Sequence, residues 1–226
     1  MYYNKVMYNF QEGEFMSETF EIRTKNPNVF LRVKKGHFAT MHLHTNYFID
    51  VTVQKMRFSE ARAVAKELSE NYKINTIVDA ILCIDGMQVV GACMAEELTD
   101  DQYISMNAHR TMYVVTPELL SGGQIMFRDN LVPMIKDKNV LILAASVTTG
   151  KSALVAIDAV NYYGGNVVGV ASIFSTVDEC DGHPVSSIFD PNDLGDYESY
   201  KPHLCPICKK GDKIEALVNS FGYSAL

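Results

Sequence analysis

The sequence lacks the features that would assign it to a membrane, secreted or nucleic-acid-binding class. No apolar run approaches the roughly 18 residues of a membrane-spanning helix, and the polar, Tyr-rich segment 1–15 has no apolar stretch typical of a signal peptide. No block rich in Lys or Arg occurs, and the formal net charge is −7, which disfavours a nucleic-acid-binding surface. We therefore expect a cytoplasmic chain that binds neither membrane nor nucleic acid and holds any anionic ligand locally.

Cysteine is also scarce, because the 226 residues include only five, unevenly spaced. This excludes a disulfide scaffold, and thiols are the default state in a reducing compartment. Cys205 and Cys208 have the spacing of half a zinc site, which His203, Cys180 or His183 would have to complete. Because only two of the four ligands have a signature spacing, we expect a turn with free thiols, and no metal.

Three histidines lie close together in the sequence, namely His37, His42 and His44. His42 and His44 are alternate residues, so in a strand they would share one face. Two histidines do not fix a metal, and we expect surface or dimer-contact histidines here.

The hydrophobic fraction is 47% and the charged fraction 21%, which excludes a disordered chain and favours one domain with appendages. Short apolar segments of strand length alternate with segments of helical periodicity. Such alternation predicts an α/β fold with a mostly parallel sheet and helices on both faces. The predicted strands are 76–84, 112–115, 140–145 and 167–174, and the predicted helices are 59–72, 89–98 and 151–163.

The most informative segment is the turn SVTTGKS, which follows the apolar strand VLILAA and precedes a helix. A turn at the carboxyl end of a buried strand is where α/β proteins bind ligands, and the amides that open the next helix favour an anion. Hydroxyl groups, a glycine and a lysine surround this point, although one hydroxyl would suffice for an ordinary capped turn. We predict a phosphate-binding turn made of Val147, Thr148, Thr149, Gly150, Lys151 and Ser152.

The spacing differs from the GxxxxGK[ST] loop of nucleoside triphosphatases, since Ala145 stands where that pattern requires glycine. The segment 139–174 instead resembles the signature of type I phosphoribosyltransferases. Three other segments are similar to orotate phosphoribosyltransferases: KGHF at 35–38, followed by Tyr47 and Asp50; VDAILCIDGMQVVGACMAEEL, where the pyrophosphate loop belongs; and CPICKKGDKI near the C-terminus. The resemblance covers Val29 to the C-terminus.

The resemblance implies residues 1–28 as an N-terminal arm and 29–226 as one phosphoribosyltransferase-like domain, with a small hood from the N-terminal segment and the C-terminal tail. It also implies a homodimer, and a glycosyltransferase of nucleotide metabolism that uses 5-phosphoribosyl-1-pyrophosphate, a nucleobase such as orotate, and Mg²⁺. Asp85 and Gly86 would belong to the pyrophosphate loop, and Arg110 would face the leaving group. The N-terminal arm 1–28 also contains a second candidate start, at Met16.

The chain departs from the family pattern at three places. Ala144 and Ala145 replace the acidic pair that holds the ribose, and Asp85 places a carboxylate where pyrophosphate would bind. Between 105 and 116, only Arg110 and His109 remain of the cationic mobile loop. Two hypotheses follow: a phosphoribosyltransferase of the orotate type that acts on 5-phosphoribosyl-1-pyrophosphate and a nucleobase, or a catalytically degraded relative that binds a nucleotide or sugar phosphate as a sensor or regulatory subunit. We expect transferase activity on orotate to be very low or absent. A purely structural role is a third reading.

Overall fold

A computed structural model describes residues 19–100, 104–108 and 110–226. The chain divides into two compact units, and we call residues 54–190 the α/β unit and residues 19–53 with 191–226 the hood unit. The predicted fold class is confirmed, since the α/β unit is a parallel-rich sheet with helices, and a hood combines N-terminal and C-terminal segments. No helix in the described ranges has the length and hydropathy needed to cross a membrane.

The strands and helices below are numbered in chain order. The strands are β1 (Thr19–Arg23), β2 (Phe30–Ala39), β3 (His44–Asp50), β4 (Ala80–Cys83), β5 (Tyr113–Val115), β6 (Glu118–Leu119), β7 (Ile125–Met126), β8 (Asn139–Val147), β9 (Asn166–Ser175), β10 (Glu179–Cys180), β11 (His183–Phe189), β12 (Ser199–Tyr200), β13 (Ala216–Asn219) and β14 (Gly222–Ala225). The α-helices are α1 (Thr52–Met56), α2 (Phe58–Ser69), α3 (Gln88–Thr99), α4 (Lys151–Tyr162) and α5 (Pro206–Lys209). Short 3₁₀ helices occur at Val132–Met134, Pro191–Asp193 and Pro202–Leu204.

The sheet of the α/β unit has the order β10-β11-β9-β8-β4-β5. All of its pairings are parallel except the antiparallel pairing of β10 with β11. Strand β8 lies between β9 and β4, and its residues 140–145 are all buried, as their continuous apolar character predicts. The predicted strands are thus confirmed, although β4 is only Ala80–Cys83 and therefore shorter than the predicted segment 76–84.

The three long helices confirm the helical periodicity, with small corrections. Serine favours the N-cap position, and the helix predicted over 59–72 begins at Ser59, but the N-cap of α2 is Arg57 and the Ser59 hydroxyl donates to Glu60. In α4, the apolar Leu154 lies outside the buried face, because its side chain is 40% exposed. Gly164 adopts a φ of +79° just after α4, which explains why the helix ends there.

Helix α3 packs closely against the sheet because residue 91 has no side chain. A Cβ atom built on Gly91 would overlap the Sγ atom of Cys83 in β4, and it would also lie 3.3 Å from a methyl group of Val114. Glycine at this position therefore lets α3 lie against β4 and β5.

The hood unit is a second sheet, with the order β12-β3-β2-β13-β14 and with β1 paired to β2. Strands β2 and β3 form an antiparallel hairpin, whereas β13 from the C-terminal tail pairs with β2 in parallel. A small apolar cluster of Phe38, Ala216 and Val218 packs in this unit. Of the predicted arm 1–28, residues 1–18 and the candidate start at Met16 lie outside the described residues, and Thr19–Arg23 forms β1.

Candidate functional site

The turn after β8 has the backbone geometry expected of an anion-binding site. The strand ends at Val147, and α4 begins at Lys151 after Gly150, which adopts the left-handed φ of +72°. Only glycine adopts this conformation without strain, and a Cβ atom there would also lie 3.3 Å from the Sγ atom of Cys180. The sequence Thr-Thr-Gly-Lys therefore turns sharply into the N-terminus of a helix.

Hydrogen bonds from the neighbouring strand hold the turn. The Thr176 hydroxyl donates to the Thr148 carbonyl at 2.7 Å, and the Thr176 amide donates to the Val147 carbonyl at 2.9 Å. These bonds use backbone carbonyl oxygens. One side chain of the turn also takes part, since the Thr149 Oγ1 atom accepts a hydrogen bond from the Lys151 amide at 3.5 Å. Thr149, Lys151 and Ser152 are exposed and Thr148 is half-buried, so the turn is open to a ligand.

The electrostatic field of this turn comes from the backbone and from one lysine. Helix α4 has 12 residues, and its dipole places partial positive charge on the amides of the first turn. Among the described residues, no acidic side chain forms an ion pair with Lys151. Ala144 and Ala145 are 1% and 0% exposed in β8, where the family signature has two carboxylates, so this part of the site contains no acidic pair.

A second loop lies beside this turn at the carboxyl edge of the sheet. Strand β4 is the neighbour of β8, and the Ile84 amide donates to the Leu143 carbonyl at 2.9 Å. The next two residues, Asp85 and Gly86, both have positive φ values, +55° and +79°. The structure thus brings the predicted pyrophosphate loop and the predicted phosphate turn to the ends of adjacent strands. Which ligand they hold stays a prediction.

Lys55 is a residue of this site that sequence reasoning missed. Its side chain in α1 is buried, with 1% exposure, and its Nζ atom donates to the Asp85 carbonyl at 2.9 Å. A buried ammonium group beside the loop opposes the negative charge of the Asp85 side chain. The signal was weak because α1 has only five residues, too few for a helical period to distinguish a buried lysine from an exposed one.

Arg110 lies at the other edge of the sheet. Its Nη1 atom pairs with Oδ1 of Asp79 at 3.2 Å, and Oδ2 of Asp79 accepts a hydrogen bond from the Asn139 amide at 2.9 Å. Asn139 opens β8 and Val147 ends it, so roughly 25 Å of strand separates Arg110 from the phosphate turn. The structure does not bring the two together within this chain, and the predicted role of Arg110 at the leaving group has no geometric support. His109 lies outside the described residues.

The hood unit contains a second cluster, which we call the Cys-His cluster: His37, His44, Cys205 and Cys208. The sequence predicts surface or dimer-contact positions for the three histidines, but the His37 and His44 side chains are buried within the hood unit, with 3% and 8% exposure, and of the three only His42 is exposed. His42 also precedes β3, so it shares no strand face with His44. Burial lowers the pKa of His44 from its usual value, which favours the neutral imidazole.

The residues named from the sequence as partners for Cys205 and Cys208 are not in this cluster. His203 is exposed, and Cys180 and His183 belong to the α/β unit, where the Cys180 thiol lies 3.5 Å from the Gly150 carbonyl. The ligand-type groups beside the two cysteines come instead from the β2–β3 hairpin. The expectation of free thiols without metal stays a prediction.

Comparison with known proteins identifies the class to which this chain belongs. No family model matches the chain. Orotate phosphoribosyltransferase of Thermoanaerobacter sp. (strain X514) is 30% identical over 184 residues, which cover 79% of this chain and 86% of that protein. Among solved structures, UMP synthase of Leishmania donovani has a TM-score of 0.52 at 16% identity, covering 72% of this chain and 34% of that one. Orotate phosphoribosyltransferase of Mycobacterium tuberculosis H37Rv has a TM-score of 0.47 at 19% identity, covering 66% and 81%.

The fold, with its strand, Thr-Thr-Gly turn and helix, is therefore that of the type I phosphoribosyltransferases. Within that class, the chain belongs to the orotate phosphoribosyltransferase family, as the similarity along most of both sequences shows. The resemblance inferred from the motifs alone is confirmed.

Proposed function

We propose that this protein binds 5-phosphoribosyl-1-pyrophosphate or a nucleoside 5′-phosphate, with the phosphate in the turn Val147–Ser152, and that it transfers phosphoribosyl groups to orotate very slowly or not at all. The observation that carries the proposal is the turn itself. Gly150 in the left-handed region opens a 12-residue helix, and the side chains at 149, 151 and 152 are exposed around it. Family membership supplies the ligand class.

Weak transfer follows from the charges at the carboxyl edge of the sheet. Departure of pyrophosphate is stabilised by preorganised positive charge, and loss of one such group can cost several kcal/mol. Arg110 is paired with Asp79 at the opposite edge, so Lys55 and Lys151 are the described cations placed near the two loops. Ala144 and Ala145 provide no carboxylate to hold the ribose hydroxyls.

Magnesium fits this edge poorly as an ion held by the protein. Mg²⁺ prefers oxygen ligands in octahedral geometry, and the two buried alanines of β8 offer none. We propose that any Mg²⁺ enters with the diphosphate of the ligand. The resemblance also implies a cytoplasmic homodimer, and this belongs to the same proposal.

A second candidate function is that of a sensor or regulatory subunit that binds the same ligand without turning it over. The observation in its favour is the contrast within one edge of the sheet, where the backbone of the phosphate turn is complete while the strand before it has two buried alanines. Binding and catalysis make different demands, since ground-state binding alone does not accelerate a reaction.

Calorimetric titration tests the binding site. We expect binding of 5-phosphoribosyl-1-pyrophosphate or a nucleoside monophosphate, and Thr149→Val should weaken it by roughly 1 to 3 kcal/mol because a charge-assisted hydrogen bond is lost. The matched control is Thr76→Val, which lies before β4 at the opposite edge and whose hydroxyl donates to Asn75. Equal affinities of wild type and Thr149→Val would contradict the assignment of the turn.

Pyrophosphate release decides between the two functions. Incubation of the purified protein with 5-phosphoribosyl-1-pyrophosphate, Mg²⁺ and orotate should release pyrophosphate no faster than the same mixture without orotate. Robust release that depends on both orotate and Mg²⁺ would refute the proposal of weak transfer. Tight ligand binding without release supports the sensor or regulatory function.

A further inference from the structure

We propose that the Cys-His cluster of the hood unit, His37, His44, Cys205 and Cys208, is a structural zinc site. The four residues come from two parts of the chain, and 168 positions separate His37 from Cys205. His37 lies in β2 where the register with β3 shifts, and His44 opens β3. Cys205 lies just before the short helix α5, and Cys208 lies on it.

Four of the six distances between the candidate ligand atoms are known individually and are close to those of a tetrahedral zinc site, and all six are within 4.8 Å. With Zn–N bonds of about 2.05 Å and Zn–S bonds of about 2.3 Å, a tetrahedron separates two nitrogens by about 3.3 Å and a nitrogen and a sulfur by about 3.6 Å. Nε2 of His37 lies 3.3 Å from Nδ1 of His44, 3.5 Å from Sγ of Cys205 and 3.6 Å from Sγ of Cys208. Nδ1 of His44 lies 3.2 Å from Sγ of Cys208.

A second group of atoms orients the His37 ring. Its Nδ1 atom lies 3.2 Å from the carbonyl oxygens of both Asp212 and Lys213. Carbonyl oxygens only accept hydrogen bonds, so Nδ1 carries the proton and Nε2 presents its lone pair to the cluster. Histidine ligands of metals are held in this way, with the distal N–H donated to a backbone carbonyl.

Ordinary hydrogen bonds explain the cluster less well than a metal ion does. With its proton on Nδ1, His37 has one lone pair at Nε2, yet one nitrogen and two sulfurs lie within 3.6 Å of it. One lone pair does not accept three hydrogen bonds of good geometry, whereas a central cation takes one lone pair from each of four ligands. Two thiolates and Zn²⁺ also give zero net charge, which suits the buried positions of His37, His44 and Cys205.

The site would be structural rather than catalytic, because four protein ligands complete the tetrahedron and leave no position for substrate. The candidate ligands come from the β2–β3 hairpin and from the C-terminal tail, so the ion would cross-link two parts of the hood unit that are distant in sequence. These two parts also meet through the pairings of β2 with β13 and of β3 with β12.

Metal content of the full chain, purified without a polyhistidine tag or a chelator, tests the proposal. We expect about one zinc per chain by atomic emission, and loss of that zinc in Cys205→Ser and in Cys208→Ser. The matched controls are His42→Ala and His203→Ala, whose exposed imidazoles neighbour the ligands in sequence, together with Cys180→Ser. All three controls should retain the metal.

Cobalt replacement keeps the proposal testable if the cysteine variants fail to fold. Unfolding the wild type with chelator and refolding it with Co²⁺ should give the intense visible absorption of tetrahedral cobalt with thiolate charge-transfer bands. Three results would overturn the proposal: substoichiometric zinc with no such spectrum, a Cys205–Cys208 disulfide in the freshly purified protein, or zinc that persists in the Cys205→Ser, Cys208→Ser double variant.

Discussion

The phosphate turn of the α/β unit consists mainly of backbone groups, whereas the Cys-His cluster of the hood unit consists of side chains. The turn is a contiguous segment, Val147–Ser152, and the groups that we propose to bind the phosphate are largely backbone amides at the start of α4. The cluster consists of four side chains spread over 171 positions, counted from His37 to Cys208. A backbone site tolerates changes of nearby side chains, whereas a side-chain site depends on each of its members. We therefore expect single substitutions to weaken ligand binding by degrees at the phosphate turn. At the Cys-His cluster, we expect a single substitution to abolish metal binding.

The largest expected effect is removal of the proposed zinc ion from the hood unit. Hydrogen exchange of the chelated protein should show protection lost across β2, β3 and β13, by more than about 3 kcal/mol, because binding energy of a structural metal is folding energy. Protection in β8 and β9 should change little. Uniform loss across both units would break the comparison, since it would mean that the metal stabilises the α/β unit as well.

The next largest effect concerns the strand before the phosphate turn. Ala144→Asp with Ala145→Asp restores the acidic pair of the family signature, but both positions are buried, so we expect about 3 kcal/mol or more of destabilisation by urea unfolding. Transferase activity should not return, because groups that act on one transition state are strongly non-additive. Ser146→Asp, at a half-buried position of the same strand, is the control. Recovery of orotate-dependent pyrophosphate release would contradict this prediction.

A smaller effect is expected at the loop beside the turn. Lys55→Met keeps most of the side-chain volume but removes the ammonium group and its hydrogen bond to the Asp85 carbonyl, at a cost of roughly 1 to 2 kcal/mol in unfolding free energy. Affinity for 5-phosphoribosyl-1-pyrophosphate should fall more than affinity for a nucleoside monophosphate, because only the former carries a diphosphate. Lys66→Met, an exposed lysine of α2, serves as the control. Equal losses for the two ligands would exclude Lys55 from the diphosphate site.

The smallest expected effect concerns Glu21, a residue of the hood unit that lies outside the Cys-His cluster. Burial opposes ionisation of Glu21, but hydrogen bonds and charge from Arg23 and Arg32 outweigh it and hold its pKa below the usual value. The ion pairs therefore stabilise the fold above the ordinary glutamate pKa, and this contribution is lost as pH falls through the lowered pKa. Glu21→Gln should cost about 1 kcal/mol at neutral pH and nothing in strong acid.

The control for that measurement is Glu118→Gln. Glu118 pairs with Arg128 by two hydrogen bonds, but both side chains are exposed. Exposed ion pairs contribute little to stability. A pH-independent difference for Glu21→Gln would show that packing, rather than charge, accounts for its effect.

The fold was largely predictable because its signals are local. The apolar run 140–145, the Gly150 turn and the period of α4 lie within about 25 consecutive residues, and hydrophobic periodicity and turn chemistry describe such segments directly. The boundaries were less accurate, as β4 and the start of α2 show. The sheet order that places the Asp85–Gly86 loop beside the phosphate turn is not among the sequence predictions, because the pairing of β4 with β8 joins segments about 60 residues apart.

The site was predictable only where its residues are neighbours in sequence. His37 and His44 were considered apart from Cys205 and Cys208, because spacing does not reveal which distant segments pair, and the parallel pairing of β2 with β13 was not anticipated. Lys55 was missed for a similar reason, since its burial depends on tertiary packing rather than on the pattern of α1. Arg110 was chosen for its charge, and only the fold shows it at the amino edge of the sheet.

The division into two units also imposes an order on biosynthesis. The α/β unit is one continuous stretch, 54–190, whereas the hood unit takes strands from both sides of it. On the ribosome, domains fold as their segments emerge. The β2–β3 hairpin emerges first, yet β13 and the two cysteines follow only after the whole α/β unit has been synthesised. During that interval, His37 and His44 present an incomplete, two-ligand half-site in the nascent chain, so the hood would be the last part of the molecule to mature and the part most sensitive to zinc supply during translation.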